Sequence, residues 1–206
     1  MKSDRDTKAV TPRVRLDPQE RREQILNAAL DAFHAKGYGQ TSVRDLGNAV
    51  GMSVAGMYHY FSTKEDILFA IIYNSVDRLL VGLEDARRSA DTPEDRLRAM
   101  LAETVRIVIE HREEIRILID NADKLPQDRR DQIREKRAQS ASIVRAELER
   151  LRAAGRLSEH LDLNVITFSI NGMANWVYHW YRPEGPMGVR ELTDQMADIF
   201  LHGILR

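Results

Sequence analysis

The segment TSVRDLGNAVGMSVAGMYHYF, residues 41–61, combines small and hydroxyl side chains with aromatic ones in an order suited to contacting nucleic acid. Its pattern predicts two short helices joined by a tight turn at Gly51, which is a helix-turn-helix. In this motif the first residues of the second helix contact base edges in the DNA major groove, while flanking groups bind phosphates. The residues predicted to contact DNA are Ser42, Arg44, Ser53, Val54, Ala55, Gly56, Tyr58, His59, Tyr60 and Lys64.

Each residue type in this set suits one kind of DNA contact. The small residues from Ser53 to Gly56 permit close approach to the groove, tyrosine hydroxyls can bind phosphates, and His59 can contact a base or a phosphate. Lys64 is predicted to bind a phosphate from the start of the next helix. A glycine turn between amphipathic helices is also common in all-α proteins, so the spacing alone leaves a purely structural role open.

A second concentration of functional side chains lies near the C-terminus, in NGMANWVYHWYRPEG. It holds both tryptophans of the chain, and residues four apart share one face of a helix, which Pro183 must end. An aromatic face of this kind packs in a core, contacts a second subunit or lines a ligand pocket, and the sequence leaves the three interpretations open. The candidate ligand-binding residues are Asn175, Trp176, His179, Trp180 and Arg182.

The bulk composition is that of an ordinary globular protein, with 43% hydrophobic and 31% charged residues in a chain of 206. No run approaches the roughly 20 apolar residues of a membrane helix, and the start MKSDRDTKAV lacks the apolar segment of a signal peptide. We therefore expect a cytoplasmic protein with no membrane partner. Cysteine is absent, which excludes disulfides and thiolate metal sites.

The charge distribution suggests two parts. Residues 1–64 carry ten Lys and Arg against seven Asp and Glu, whereas residues 65–206 carry 21 against 25. A mildly basic N-terminal segment followed by an acidic remainder is typical of a nucleic-acid-binding module joined to another domain.

Apolar residues recur at three- and four-residue steps, and no alternating run predicts a strand, so the expected fold class is all-α with nine helices. The second helix should begin after Thr41 or Ser42, the third after Ser53, and the fourth after Ser62, with Glu65 completing a capping box. The other predicted helices cover residues 18–36, 93–112, 113–125, 127–154, 163–181 and 189–205.

From about Arg22 to Leu68 the sequence resembles the DNA-binding domain of the TetR family of transcriptional repressors. The matching residues are Ile25, Ala28, Ala29, Phe33, Gly37-Tyr38, Thr41-Ser42-Val43, Leu46, Gly51-Met52-Ser53, Tyr58-His59-Tyr60-Phe61 and Lys64-Glu65. Gly47 stands where the family usually has alanine. We expect this glycine to loosen the second helix without abolishing the fold.

The resemblance implies a nine-helix architecture whose first three helices bind DNA. Family members bind palindromic operators as homodimers paired through their last two helices, and a small molecule releases them. Applied to this chain, the resemblance implies a helix-turn-helix domain over residues 18–64 and a ligand-binding and dimerisation domain over residues 65–206. Residues 1–17 would form a flexible basic arm able to reach the minor groove or to bind phosphates.

The ending NW…WYRPEG and the following ELTDQMADIFLHGIL are similar to those of TetR-type repressors of fatty-acid and steroid catabolism, whose effectors are acyl-coenzyme A thioesters. Coenzyme A is anionic, so its phosphates call for Arg or Lys, and its adenine can stack on an aromatic ring or an arginine. The arginines considered for this role are Arg145, Arg150, Arg152, Arg156 and Arg182.

Three other functions are weighed against this one. A regulator of an efflux pump would respond to hydrophobic or aromatic drugs, and a ligand-independent DNA-binding protein would lack a closed apolar pocket. An enzyme is not expected, because the chain has no glycine-rich phosphate loop, no nucleophile elbow and no His-Glu-x-x-His pattern among its six histidines. For the same reason we expect no cofactor and no metal.

Overall fold

The computed structural model describes residues 17–205, a range that contains nine α-helices and no strand. This confirms the predicted fold class. The basic arm predicted over residues 1–17 lies outside the described residues except for Asp17, which caps the first helix. No helix in the described range is long and apolar enough to cross a membrane. The helices are α1 (Pro18–Lys36), α2 (Val43–Ala49), α3 (Val54–Tyr60), α4 (Lys64–Arg88), α5 (Pro93–Glu110), α6 (Arg112–Asn121), α7 (Gln127–Ala153), α8 (Leu163–Trp180) and α9 (Val189–Ile204), with a short 3-10 helix over Ala122–Lys124.

Hydroxyl side chains determine where the two short N-terminal helices begin. Ser42 precedes α2, and its hydroxyl accepts the backbone N–H of Asp45 at 3.2 Å. Ser53 precedes α3, and its hydroxyl accepts the N–H of Gly56 at 3.1 Å. Each bond satisfies a donor that the first turn of a helix would otherwise leave unpaired.

The predicted start of α4 is wrong by one residue, because Thr63 rather than Ser62 is the cap. The Thr63 hydroxyl accepts the N–H of Asp66 at 3.0 Å, and the Asp66 carboxylate accepts the N–H of Thr63 at 3.1 Å. Glu65, the predicted partner in the capping box, instead accepts a hydrogen bond from the Tyr38 hydroxyl at 3.2 Å. Glu65, which the local sequence pattern assigns to the helix cap, therefore makes a tertiary contact instead.

Two hydrophobic cores meet along α4. The N-terminal core contains α1–α3 and the first half of α4, residues 67–76, and it also includes Ile117 and Leu118 of α6 and Ile133 of α7. The C-terminal core joins the second half of α4 to α5, α7, α8 and α9. Helix α4 therefore belongs to both cores.

Candidate DNA-binding surface and ligand groove

A closely packed turn holds α2 against α3. Leu46 and Met57 are completely buried, and Gly51 has a φ of 66°, a left-handed conformation that favours glycine. A Cβ atom at Gly47 would come within 2.8 Å of the Met52 carbonyl oxygen. The glycine that departs from the family pattern therefore permits a close approach between α2 and the turn.

The predicted DNA-contacting residues of α3 form an accessible surface. Ser53, Ala55, Tyr58 and His59 are exposed, and the other three predicted residues of this helix are half-buried. Tyr58 keeps 50% of its surface accessible. The structure thus presents small residues at the start of α3 and aromatic ones towards its end on an accessible surface.

Ser42 and Arg44, at the start of α2, are also exposed. The Ser42 hydroxyl donates to the Asp45 carboxylate at 2.7 Å, and the Ser42 backbone N–H donates to it at 2.9 Å. These bonds, the side-chain bond first, hold the pKa of Asp45 below its ordinary value. The start of α2 is therefore fixed by its own capping box, and Arg44 faces solvent.

Lys64 differs from the other predicted DNA contacts because its ammonium group is bound within the protein. Nζ donates to the carbonyl oxygens of Tyr38 at 2.9 Å and Thr41 at 3.0 Å, and it lies 4.2 Å from the centre of the Tyr38 ring. Burial, followed by the Glu65 carboxylate, raises the pKa of Tyr38 above its ordinary value. Lys64 thus fixes the turn between α1 and α2. Two of its three N–H donors are used in this way, and a phosphate contact by the third stays a prediction.

The aromatic end of α8 is largely exposed. Trp176 and Trp180 keep 62% and 49% of their surfaces accessible, so the core interpretation is wrong for both. The centre of the His179 ring lies 4.2 Å from that of the Trp176 ring and 4.0 Å from that of the Tyr178 ring. Tyr181 is buried, and its hydroxyl donates to a backbone carbonyl oxygen at 2.9 Å.

Asn175 and Arg182, the remaining predicted ligand residues, are exposed. Arg182 donates to the carbonyl oxygens of His179 and Tyr181, at 3.2 Å each, and so closes the end of α8. The other four arginines considered for coenzyme A also have partners within the protein. Arg145 donates to Glu149 and Asn164, and Arg150 donates to Glu147. Arg152 donates to the Leu161 carbonyl oxygen, and Arg156 pairs with Glu94.

An open groove of about 830 Å³ lies where α1, the junction of α5 with α6, and α8 meet. We call it the junction groove. Leu30 and His34 line it from α1, residues 110–114 from the α5–α6 junction, and Tyr178 and His179 from α8. Of these residues the sequence pointed only to His179, because they are far apart in the chain and share no motif. The charged run HREEIR at the start of α6 is the signal that could have drawn attention to the site.

Polar contacts in the junction groove connect the DNA-binding helices to the C-terminal helices. The imidazole Nε2 of His34 in α1 lies 3.7 Å from the carboxylate of Glu113 in α6. Glu114 pairs with Arg78 of α4 at 2.7 Å and lies 3.3 Å from His111. Within residues 17–205, no group of three or more His, Asp or Glu side chains is arranged to hold a metal ion.

The last two helices expose large apolar side chains. Val165, Phe168 and Trp176 are 61–69% accessible and fall on one face of α8 by their spacing, and Ile199 of α9 is 70% accessible. We call Val165, Phe168 and Ile199 the α8–α9 apolar face. Exposed apolar surface of this extent is typical of a site that another molecule covers.

The structure combines a helix-turn-helix, whose recognition helix is exposed, with a helical domain that has an apolar face, and α4 is shared by both. This combination defines a DNA-binding regulator. Comparison with known families places it more closely. Residues 25–71 match the family described as bacterial regulatory proteins, tetR family, and residues 90–204 match the tetracyclin repressor-like C-terminal domain. The chain belongs to the TetR family of transcriptional regulators, as its sequence resemblance predicted.

Several known proteins are similar over most of the chain. The HTH-type transcriptional repressor KstR2 of Mycobacterium tuberculosis is 26% identical over 192 residues, which cover 90% of this chain and 94% of KstR2. The TetR regulator PfmR of Thermus thermophilus is 31% identical, with a TM-score of 0.78 over 86% of this chain and 97% of PfmR. AibR, solved in complex with isovaleryl coenzyme A and operator DNA, is 26% identical, with a TM-score of 0.77 over 87% of this chain and 97% of AibR.

Proposed function

We propose that this protein is a transcriptional repressor that binds a palindromic operator as a homodimer and is released by an acyl-coenzyme A thioester. The observation that carries the proposal is the similarity, over nearly the whole chain, to AibR in complex with an acyl-coenzyme A and operator DNA. The relatives named KstR2 are repressors, which supports repression here. Operator binding would place the protein in the bacterial cytoplasm.

Operator binding is assigned to α2 and α3. Ser53, Ala55 and neighbouring small residues would approach base edges, and Tyr58, His59 and Tyr60 would contact bases or phosphates. Ser42 and Arg44 would bind the phosphate backbone from the start of α2. Because both segments are exposed and internally capped, this surface can meet DNA without first rearranging.

The homodimer is assigned to the α8–α9 apolar face. Stable interfaces bury on the order of 800 Å² on each partner, with aromatic residues frequently at their centre. Phe168, which is 69% exposed, supplies such a residue. Dimerisation would fix the separation of the two α3 helices, which must match half-sites about one DNA turn apart.

The effector site is assigned to the end of α8 and the junction groove beside it. Asn175, Trp176, His179, Trp180 and Arg182 are the predicted ligand contacts, and His179 lies on the groove wall. A ligand here would touch α8, α6 and α1 together. Because α4 belongs to both cores, a shift of α6 or α1 would change the position of α3 relative to its partner in the dimer.

Titration of the operator complex with effectors tests the proposal. DNA from upstream of the gene would be labelled, and its release followed by anisotropy together with tryptophan fluorescence, since both tryptophans lie at the assigned site. We expect acyl-coenzyme A thioesters to release the DNA and change the emission, and the matching free acids to do neither. Release by aromatic drugs and not by thioesters would instead support the efflux-pump regulator.

A further inference from the structure

We propose that Arg112 holds the phosphate groups of the effector in the junction groove. This inference rests on the proposed function and adds the residue that would recognise the anionic part of the ligand. Arg112 lines the groove from the start of α6 and is partly buried there.

The side chain of Arg112 differs from the other charged side chains of the groove in having no hydrogen bond or ion pair with any residue in the range 17–205. The acidic groups of the groove, by contrast, have basic neighbours. Glu110 pairs with Arg106, Glu113 lies 3.7 Å from His34, Glu114 pairs with Arg78 at 2.7 Å, and Asp120 pairs with Arg116 at 3.6 Å. Within the described part of the chain, the hydrogen-bonding capacity of the Arg112 guanidinium group is therefore unused.

The location of Arg112 gives it no evident stabilising role. It is the first residue of α6, and the N-terminal end of a helix already carries partial positive charge, so a cation at this position is unfavourable. Glu113 and Glu114 follow it, but the structure pairs them with side chains of other helices. A bound anion would supply the negatively charged partner that the Arg112 guanidinium group lacks within the described part of the protein.

The surroundings of Arg112 suit a ligand with phosphate and aromatic parts. Arg112 also borders a narrow crevice formed with Tyr178, Tyr181 and Pro183, so it lies beside the aromatic end of α8. A guanidinium group can donate two parallel hydrogen bonds to a phosphate, and an adenine ring can stack on exposed aromatic side chains such as Trp176. Arg182, a ligand contact predicted from the sequence, donates to the end of its own helix instead.

Paired arginine variants and three ligands of decreasing charge test the inference. The variants are Arg112→Gln, Arg112→Lys and, as the matched control, Arg134→Gln, an exposed arginine of α7 outside the groove whose charge is offset by Asp131 at 2.6 Å. The ligands are an acyl-coenzyme A, its 3′-dephospho form and the acyl-pantetheine thioester, which has no phosphate. Circular dichroism and thermal melting would establish that each variant is folded before operator release is measured.

We expect Arg112→Gln to raise the acyl-coenzyme A concentration for half-release by about 10–100-fold, the value of a charge-assisted hydrogen bond, and Arg112→Lys to raise it less. Acyl-pantetheine should act equally on Arg112→Gln and on the unaltered protein. Arg134→Gln should shift half-release by less than about fivefold. A loss with acyl-coenzyme A that disappears with the dephospho form would assign Arg112 to the 3′-phosphate, and a loss with both would assign it to the diphosphate.

Two results would overturn the inference while the proposed function stands. One is release of Arg112→Gln at the same acyl-coenzyme A concentration as the unaltered protein. The other is an equal loss in Arg112→Gln and Arg134→Gln, which would show a general effect of charge. If no thioester releases the unaltered protein, the proposed function fails and this inference fails with it.

Discussion

The DNA-binding surface and the junction groove are built from very different amounts of chain. The DNA-binding surface uses two adjacent short helices. Ser42 and Ser53 set where these helices begin, and each bonds a backbone N–H three residues further along the chain. The junction groove combines His34, Glu113 and His179, which come from three distant helices. A surface made by one local motif can be preformed and rigid, whereas a groove between helices can change shape when those helices move.

The largest expected effect concerns the DNA-binding surface. Placing a carboxylate on α3 by Ala55→Glu should weaken operator binding at least about 100-fold, because an acidic group facing DNA phosphates costs several kcal/mol. The same change at exposed Ala138 of α7 is the control and should leave the affinity within about twofold. Fluorescence anisotropy with labelled operator measures both, and an unaltered affinity in Ala55→Glu would remove α3 from the interface.

A second large effect is expected at the α8–α9 apolar face. Phe168→Asp should raise the dimer dissociation constant at least about 100-fold, because it buries a charge at the centre of the proposed interface. Val81→Asp is the control, since Val81 of α4 is 53% exposed and lies off the α8–α9 apolar face. Sedimentation equilibrium compares them. If Phe168→Asp remains as dimeric as the unaltered protein, dimerisation uses another surface.

A moderate effect is expected within the helix-turn-helix. Gly47→Ala should lower the free energy of unfolding by about 1–2 kcal/mol, because the added Cβ would meet the Met52 carbonyl oxygen at 2.8 Å and the turn must shift. At Gly39 no atom lies within 4 Å of an added Cβ, so Gly39→Ala should be nearly neutral. Urea unfolding tests the pair, and a stabilised Gly47→Ala would show that the turn relaxes freely.

The smallest effect concerns the start of α8 and depends on pH. Hydrogen bonds from the backbone N–H groups of Val165 and Asn164 lower the pKa of Asp162 below its ordinary value of 3.8. The ionised cap therefore stabilises the fold at pH values above 3.8. This stabilisation is lost as the pH falls through the lowered pKa. Asp162→Ala should therefore lower the melting temperature slightly at neutral pH and by less in strong acid, where the neutral carboxyl group still caps the helix but its charge is gone. Asp162→Asn keeps a capping oxygen and should show no such pH dependence.

The sequence by itself determined the features that depend on neighbours in the chain. Helix periodicity, Ser53 before α3 and Gly51 in the turn all follow from interactions within about four residues. The resemblance carried by this same segment identified the family. Even the ends of α8 and α9 were predicted to within one residue.

The tertiary structure decided the contacts that join distant segments. Local pattern could not show that Glu65 bonds Tyr38 and so leaves the α4 cap to Thr63, nor that Lys64 bonds two carbonyl oxygens of the preceding turn. It could not show that Arg112, unpaired among residues 17–205, lines a groove shared with α1. Each of these depends on how whole helices pack, because a side chain acquires its partners only after elements far apart in the chain have come together.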